Sequence, residues 1–279
     1  MKTSQDQYIK VGTINTRYWT KGSQGSAVIL IHGLGHFLEA WLPTFDVLAA
    51  NYRVYALDLL GHGRTDKPLN VSYNIAGLAQ FVKNFMEALD IEHAHIVGHS
   101  LGGAIGTRLT LMQPEVVDKL VLVNSGGLGK EVTTLFRIVS IPILGEMLSR
   151  PTRSGAANLA KMSVYDPTVV TEEIIEQGYQ MALPPETQQS FLRVLRANIN
   201  LSGQNKSIYS ANVLELPSIT KPVLVVWGRQ DQIVPVTHVE VATKSLPNVR
   251  VRIFDNCGHL PMLEHTQPFN ELLLEFLGR

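Results

Sequence analysis

The chain has 279 residues, 45% of them apolar and 17% charged, with 22 glycines. That apolar content excludes a disordered chain, and the balance of 24 Lys+Arg against 24 Asp+Glu offers no charge field to nucleic acid or an anionic membrane. A single cysteine, Cys257, excludes an internal disulfide and a thiolate metal site. It fits a reducing compartment, so a cytoplasmic location is expected.

The N-terminal segment 1–7 is polar and lacks the apolar core of a secretory signal. Residues 27–31 form a continuous apolar run, the pattern of a strand buried on both faces. A helix is predicted over about 39–50 and a strand over 53–57. Ile75, Leu78, Ala79, Val82, Phe85, Met86 and Leu89 then fall at helical spacing. A short strand at 94–97 leads into a helix at 101–112, which Pro114 ends by disfavouring helical geometry at Gln113. Another buried strand is predicted at 119–123.

From 126 to about 216 no apolar strand run occurs, and Pro142, Pro151, Pro167 and the Pro184-Pro185 pair separate helical segments. The most apolar stretch, 135–148, carries Arg137, Pro142, Gly145 and Glu146 and falls short of the roughly 20 apolar residues that span a bilayer. A soluble protein without stable membrane insertion is expected. Strand and helix alternate again at 222–227, 236–245 and 249–254, and an amphipathic helix at 269–277 closes the chain. This order predicts an α/β core (1–125 and 217–279) with a helical cap at 126–216.

The pentapeptide Gly98-His-Ser-Leu-Gly102 lies between a predicted strand and a predicted helix. A serine on so sharp a turn is strained, and the flanking glycines lack the Cβ atoms that would clash there. By itself the segment could equally be a glycine-rich turn with a capping serine. A nucleophilic serine needs a base, and that base needs an orienting carboxylate. Asp231 follows the strand ending at Trp227, and His259 follows the last strand. Both lie just past strand C-termini, where open α/β sheets place their ligands.

Five motifs stand in order: Ile31-His-Gly-Leu-Gly35, Asp58-Leu-Leu-Gly-His-Gly-Arg64, Gly98-His-Ser-Leu-Gly-Gly103, Trp227-Gly-Arg-Gln-Asp231 and Gly258-His259. Through them the chain resembles α/β-hydrolase-fold proteins from end to end. The resemblance implies an eight-stranded, mostly parallel sheet flanked by helices, with the cap inserted after the sixth strand. It implies Ser100 as nucleophile, His259 as base, Asp231 as orienter, and the backbone N–H groups of Leu34 and Leu101 as the oxyanion hole. Serine stands where dehalogenases and epoxide hydrolases of this fold carry aspartate, which implies acyl transfer through an acyl-enzyme or, less often, base-assisted cleavage of a carbon–carbon bond. No metal or organic cofactor is called for.

Among the other histidines, His32 is expected to brace the oxyanion loop, and His93 and His95 lack the carboxylate or thiol that would complete a metal set. Asp58 reads as loop structure, Asn124 cannot replace Asp231 as an anionic orienter, and Cys257 reads as a small buried apolar residue. Candidate pocket residues are His36, His99, Leu260, Arg193 and Arg196. The expected activity is hydrolysis of small to medium apolar carboxylic esters, a small-molecule substrate class, with a homodimer left open. The alternative comes from a closer resemblance. Asn124-Ser-Gly-Gly-Leu-Gly129, the helical cap and Asn256-Cys-Gly-His259 are similar to hydrolases of meta-cleavage ring-fission products, which cut a C–C bond in a vinylogous 1,5-diketone. Those enzymes carry a cap arginine for the substrate carboxylate, which Arg193 or Arg196 could supply, and a tryptophan where this chain has Leu260. A ligand receptor on a hydrolase scaffold is a third reading.

Overall fold

A computed structural model describes residues 5–278; the first four residues of the polar N-terminal segment lie outside the described residues. Ten strands occur among the described residues: β1 (Gln7–Val11), β2 (Ile14–Lys21), β3 (Ala27–Ile31), β4 (Arg53–Leu57), β5 (Ala94–His99), β6 (Val117–Val123), β7 (Ile199–Asn200), β8 (Gly203–Gln204), β9 (Val223–Gly228) and β10 (Val249–Phe254). Eight of them form one sheet in the order β1-β2-β4-β3-β5-β6-β9-β10, while β7 and β8 make a separate small hairpin. β2 runs antiparallel to β1 and β4, and every other pairing in the large sheet is parallel. The expected eight-stranded, mostly parallel sheet is therefore present.

Helices cover both faces, which explains the continuous apolar strands. Ile29 and Ile31 of β3 pack into one apolar cluster while Val28 and Leu30 pack into another. β9 divides in the same way, with Val225 and Trp227 on one side and Leu224 and Val226 on the other. Neither strand has a solvent face, so neither alternates polar with apolar.

The core helices before the cap are α1 (Leu42–Leu48), α2 (Ile75–Ala88) and α3 (Leu101–Met112). The helix expected over 39–50 is instead a 3-10 turn at Leu38–Trp41 followed by α1. Pro43, which has no N–H to donate, sits in the first turn of α1 and marks a fresh start. Between β6 and β9 lie α4 (Thr134–Val139), α5 (Leu144–Leu148), α6 (Arg153–Met162), α7 (Glu172–Ala182), α8 (Pro185–Asn198) and α9 (Lys206–Glu215). The chain closes with α10 (His238–Ser245), α11 (Pro261–Glu264) and α12 (Thr266–Gly278). The strand ends that carry the motifs all open toward the side where the chain leaves β6 for α4.

Candidate active site

β5 ends at His99 and α3 begins at Leu101, so the chain reverses at Ser100, with φ 53° and ψ −115°. That backbone region costs on the order of 1–3 kcal/mol for a residue with a side chain and persists only when its surroundings enforce it. Here they do. A Cβ on Gly98 would stand 2.2 Å from the Gly102 carbonyl oxygen, and one on Gly102 would stand 2.2 Å from that of Ile31. The Ser100 N–H donates to the Val123 carbonyl at 2.9 Å, and the Gly126 N–H donates to the Ser100 carbonyl at 2.9 Å. The serine is thereby tied to the end of β6. Leu101, first residue of α3, keeps an N–H with no partner inside the helix.

Asp231 and His259 meet from the loops after β9 and β10. His259 Nδ1 lies 2.7 Å from Asp231 Oδ2, and both side chains are buried. A carboxylate at that distance fixes the tautomer, with the hydrogen on Nδ1 and a lone pair on Nε2. Asp231 is itself held. Its Oδ1 accepts from the N–H groups of Ile233 (2.8 Å) and Val234 (3.1 Å), and its Oδ2 accepts from Asn124 Nδ2 at 2.7 Å. Asn124, in the left-handed region at φ 45°, also donates to the Gly258 carbonyl at 3.2 Å. It is a support for the acid rather than an acid, a role its sequence position after β6 did not disclose.

The segment between β6 and β9 reaches His259 directly. The His259 N–H donates to the carbonyl of Ser163, just past α6, at 2.8 Å. Glu264 clamps the two segments, its Oε1 accepting from the Gly258 N–H (2.8 Å) and its Oε2 from the Tyr165 N–H (2.6 Å). A Cβ on Gly258 would lie 2.8 Å from the Tyr165 nitrogen, so only glycine lets the loops approach so closely. No sequence signal pointed to Ser163 or Glu264.

A narrow cavity, partly open to solvent, adjoins Ser100. Leu34 and Leu101, the two expected oxyanion positions, line it together with Ser100. The rest is mostly apolar, with Val132, Phe136, Val194 and Ile199 from the cap side, and Asn198 and Gln204 as its amides. Gln204 accepts from the Gly127 N–H at 2.7 Å, and Asn198 donates to the carbonyls of Tyr73 and Val194.

None of the other expected pocket residues lines this cavity. On α8 the buried positions include Val194 and Asn198, one turn apart, which leaves Arg193 and Arg196 on the other face. Arg193 donates to the Leu69 carbonyl at 2.8 Å. Arg196 pairs with Glu146 at 2.8 Å and reaches the Ser140 carbonyl at 3.1 Å. His99 is fully buried behind the elbow, its Nε2 on the His259 carbonyl at 2.9 Å and its ring tilted against the base at 4.6 Å. Burial, with like-charged neighbours, holds its imidazole well below the ordinary range. His36 packs edge-on against His99, and burial followed by the charge of His259 holds it to about 4. Leu260 joins the apolar cluster with Val164 and Met262. Sequence proximity to the motifs places His36, His99 and Leu260 near Ser100 and His259, but not in the cavity wall.

The remaining residues are structural. His32 accepts from the Leu59 N–H at 3.0 Å and lies 2.8 Å from the Gly33 carbonyl through Nδ1, bracing the loop that carries Leu34. Asp58 is buried against Arg17 (3.1 Å) and accepts from the N–H groups of Leu38 and Arg64. His93 faces Asp118 at 2.7 Å, whereas His95 is buried in β5 against Tyr52. Cys257 is buried, which pushes its thiol up and leaves it uncharged.

A family model for the alpha/beta hydrolase fold matches residues 26–266. A 2-hydroxy-6-oxononadienedioate/2-hydroxy-6-oxononatrienedioate hydrolase of Pseudomonas sp is 31% identical, the match covering 92% of this chain and 90% of that protein. The solved structure of a 2-hydroxy-6-oxo-6-phenylhexa-2,4-dienoate hydrolase from Rhodococcus sp. strain RHA1 is similar with TM-score 0.85 at 28% identity, covering 99% of each chain. A bacterial membrane phospholipase A is similar with TM-score 0.82 at 26% identity, covering 99% of this chain and 86% of that one.

Proposed function

Because the chain belongs to the α/β-hydrolase family, we propose that it is a serine hydrolase of the C–C-cleaving kind, acting on vinylogous diketones of the ring-fission class. The observation that carries the catalytic part is the buried Asp231–His259 pair at 2.7 Å beside a strained serine elbow. The choice of bond rests on the Pseudomonas relative, matched over 92% of this chain and named for a ring-fission dienedioate.

In this reading Ser100 Oγ attacks the ketone carbonyl as its proton passes to His259 Nε2. The N–H groups of Leu34 and Leu101 receive the oxyanion, each such donor being worth roughly 3 kcal/mol. When the tetrahedral adduct collapses, the C–C bond breaks, and the departing carbon takes the electron pair into its conjugated carbonyl and the proton from His259. A water, deprotonated by His259, then releases the acid and restores Ser100. Asp231 stabilises the imidazolium in both halves. Residues 126–216 are the cap that closes the cavity over Ser100.

One observation favours a second reading, hydrolysis of apolar carboxylic esters. No cationic side chain lines the cavity, and Arg193 and Arg196 are engaged elsewhere, so nothing there recognises a substrate carboxylate. The same triad would serve, with an alcohol as leaving group. The test is a parallel measurement of kcat/KM on a vinylogous diketone carboxylate, followed by loss of its absorbance, and on nitrophenyl esters of rising acyl length. Ser100→Ala accompanies each. Serine-dependent diketone cleavage at least tenfold above the best ester supports the first reading. Ester turnover with a chain-length optimum and no diketone cleavage replaces it with the second, and the absence of serine-dependent turnover on either substrate overturns both.

A further inference from the structure

The first two helices of the cap, α4 and α5, carry an apolar face that nothing among the described residues covers. Leu135 and Ile138 on α4 are 38% and 37% exposed, and Ile143, Leu144, Met147 and Leu148 around α5 are 75%, 42%, 59% and 57% exposed. The spacing of Leu144, Met147 and Leu148 puts them on one side of α5. Leu201, at the tip of the β7–β8 hairpin, extends the face, since its carbonyl accepts from Arg137 Nε at 2.8 Å and its side chain is 58% exposed. A monomeric protein rarely presents so many large apolar side chains together without a use.

This face is also held in shape. Ile143 has φ 71°, a left-handed conformation that a β-branched residue seldom adopts. Its N–H donates to Glu146 Oε2 at 2.7 Å, and Arg196 holds that carboxylate through two nitrogens, at 2.8 and 2.9 Å. A Cβ on Gly145 would stand 2.2 Å from the Val139 carbonyl, so the α4–α5 turn closes as it does only with glycine there. A cap arginine thus works as a strut that keeps an isoleucine strained and in solvent.

The charges around the face have one sign left over. Between residues 134 and 151 the charged side chains are Arg137, Glu146 and Arg150, and Glu146 is neutralised by Arg196. At the hairpin end, Lys130 and Arg137 line a shallow hollow with Glu131, an exposed carboxylate bonded to the buried His238 Nε2 at 3.0 Å, so the cations at 130, 137 and 150 outnumber one unneutralised acid. Apolar side chains rimmed by unmatched cations complement an anionic lipid leaflet. They complement a second copy less well, because a two-fold interface would bring together two faces of the same net positive sign.

We propose that this face of the cap docks on an anionic lipid surface, with α4 and α5 lying in the headgroup plane. The whole-chain charge balance conceals this because the cations are local. No helix among the described residues is long and apolar enough to cross a membrane, so the attachment is peripheral. It also places the cavity next to the leaflet. Phe136, on the opposite face of α4 from Leu135 and Ile138, lines the cavity with Ser100, so a single helix separates the lipid from the site.

Sedimentation with large unilamellar vesicles tests this independently of the chemistry at Ser100, because pelleting is read without turnover. The protein is expected to partition at least tenfold more strongly onto phosphatidylglycerol–phosphatidylcholine vesicles than onto phosphatidylcholine alone. A variant with Ile143→Ser, Met147→Ser and Leu148→Ser should lose at least tenfold of that binding, with turnover of a soluble substrate and Tm preserved. Arg137→Gln and Arg150→Gln should each cost about fivefold, and raised salt should reproduce their loss. Wild-type protein remaining in the supernatant with both vesicles overturns the proposal, as does undiminished pelleting of the triple variant. A dimer in sedimentation velocity that the triple variant dissociates, without vesicle binding, assigns the face to a second copy and overturns it as well.

Discussion

The two walls of the cavity are fixed by different physics. On the sheet side the positions are set by the main chain. Ser100 is forced to φ 53° between Gly98 and Gly102, and Asp231 is held by two backbone N–H groups and one amide. On the cap side the wall is Val132, Phe136, Val194 and Ile199, whose directions follow from how α4 and α8 are rolled against the core. A slight turn of either helix would present other residues. In the proposed mechanism the chemistry rests on a few tightly held positions, and the choice of substrate on many that can be exchanged.

The sharpest way to break this contrast is on the sheet side. Ser100→Ala should abolish turnover by about 10⁴-fold or more while leaving the fold intact, as judged by an unchanged circular dichroism spectrum. If substantial activity survives, the nucleophile is elsewhere. Asp231→Asn should cost about 10³- to 10⁴-fold in kcat, since an amide at 2.7 Å favours the wrong imidazole tautomer. On the cap side the response should change in kind as well as in size. Phe136→Ala should raise KM for an apolar substrate about tenfold with kcat little altered, the signature of lost uniform binding. Equal falls in kcat and kcat/KM would place Phe136 in the chemistry and blur the distinction.

Two smaller effects sharpen it. Burial holds His32 and His62, behind the catalytic face, to about 3. An unfolded chain binds protons on these imidazoles below its ordinary pKa near 6.5, whereas the native chain does not until about pH 3. Their contribution to stability is thus complete above about pH 6.5 and is lost as pH falls toward 3, by up to about 1.4 kcal/mol per pH unit for each ring. Urea melts between pH 7 and 4.5 should follow that slope, and a stability rising on acidification would contradict neutral burial. Finally, Arg196→Gln should change KM for a carboxylate-bearing substrate by less than twofold while lowering Tm by a few degrees. A selective rise in KM would return Arg196 to the pocket.

The division between the walls also decides what can be read from the amino-acid string. The elbow, Asp231 and His259 are legible because a backbone constraint demands particular residue types at adjacent positions, glycine above all. β3 and β9 are legible because both their faces are covered. β1 and β2, in contrast, left no continuous apolar run, because β1 is a largely exposed edge and the buried centre of β2 includes the polar Thr16 and Arg17. Arg193 and Arg196 were reasonable candidates by position, but residues on one helix separate by face, and the face depends on packing that no local pattern records. Asn124 is intermediate. Its identity excluded it as an acid, yet only the fold brings its amide to 2.7 Å from Asp231.

The bond from the His259 N–H to Ser163 has a consequence for how molecules enter and leave. A cap lifting as a rigid body would withdraw the acceptor from the base's own backbone and pull against the Glu264 clamp on Gly258 and Tyr165. That corner behaves as an interlock: unlatching it disarms the enzyme.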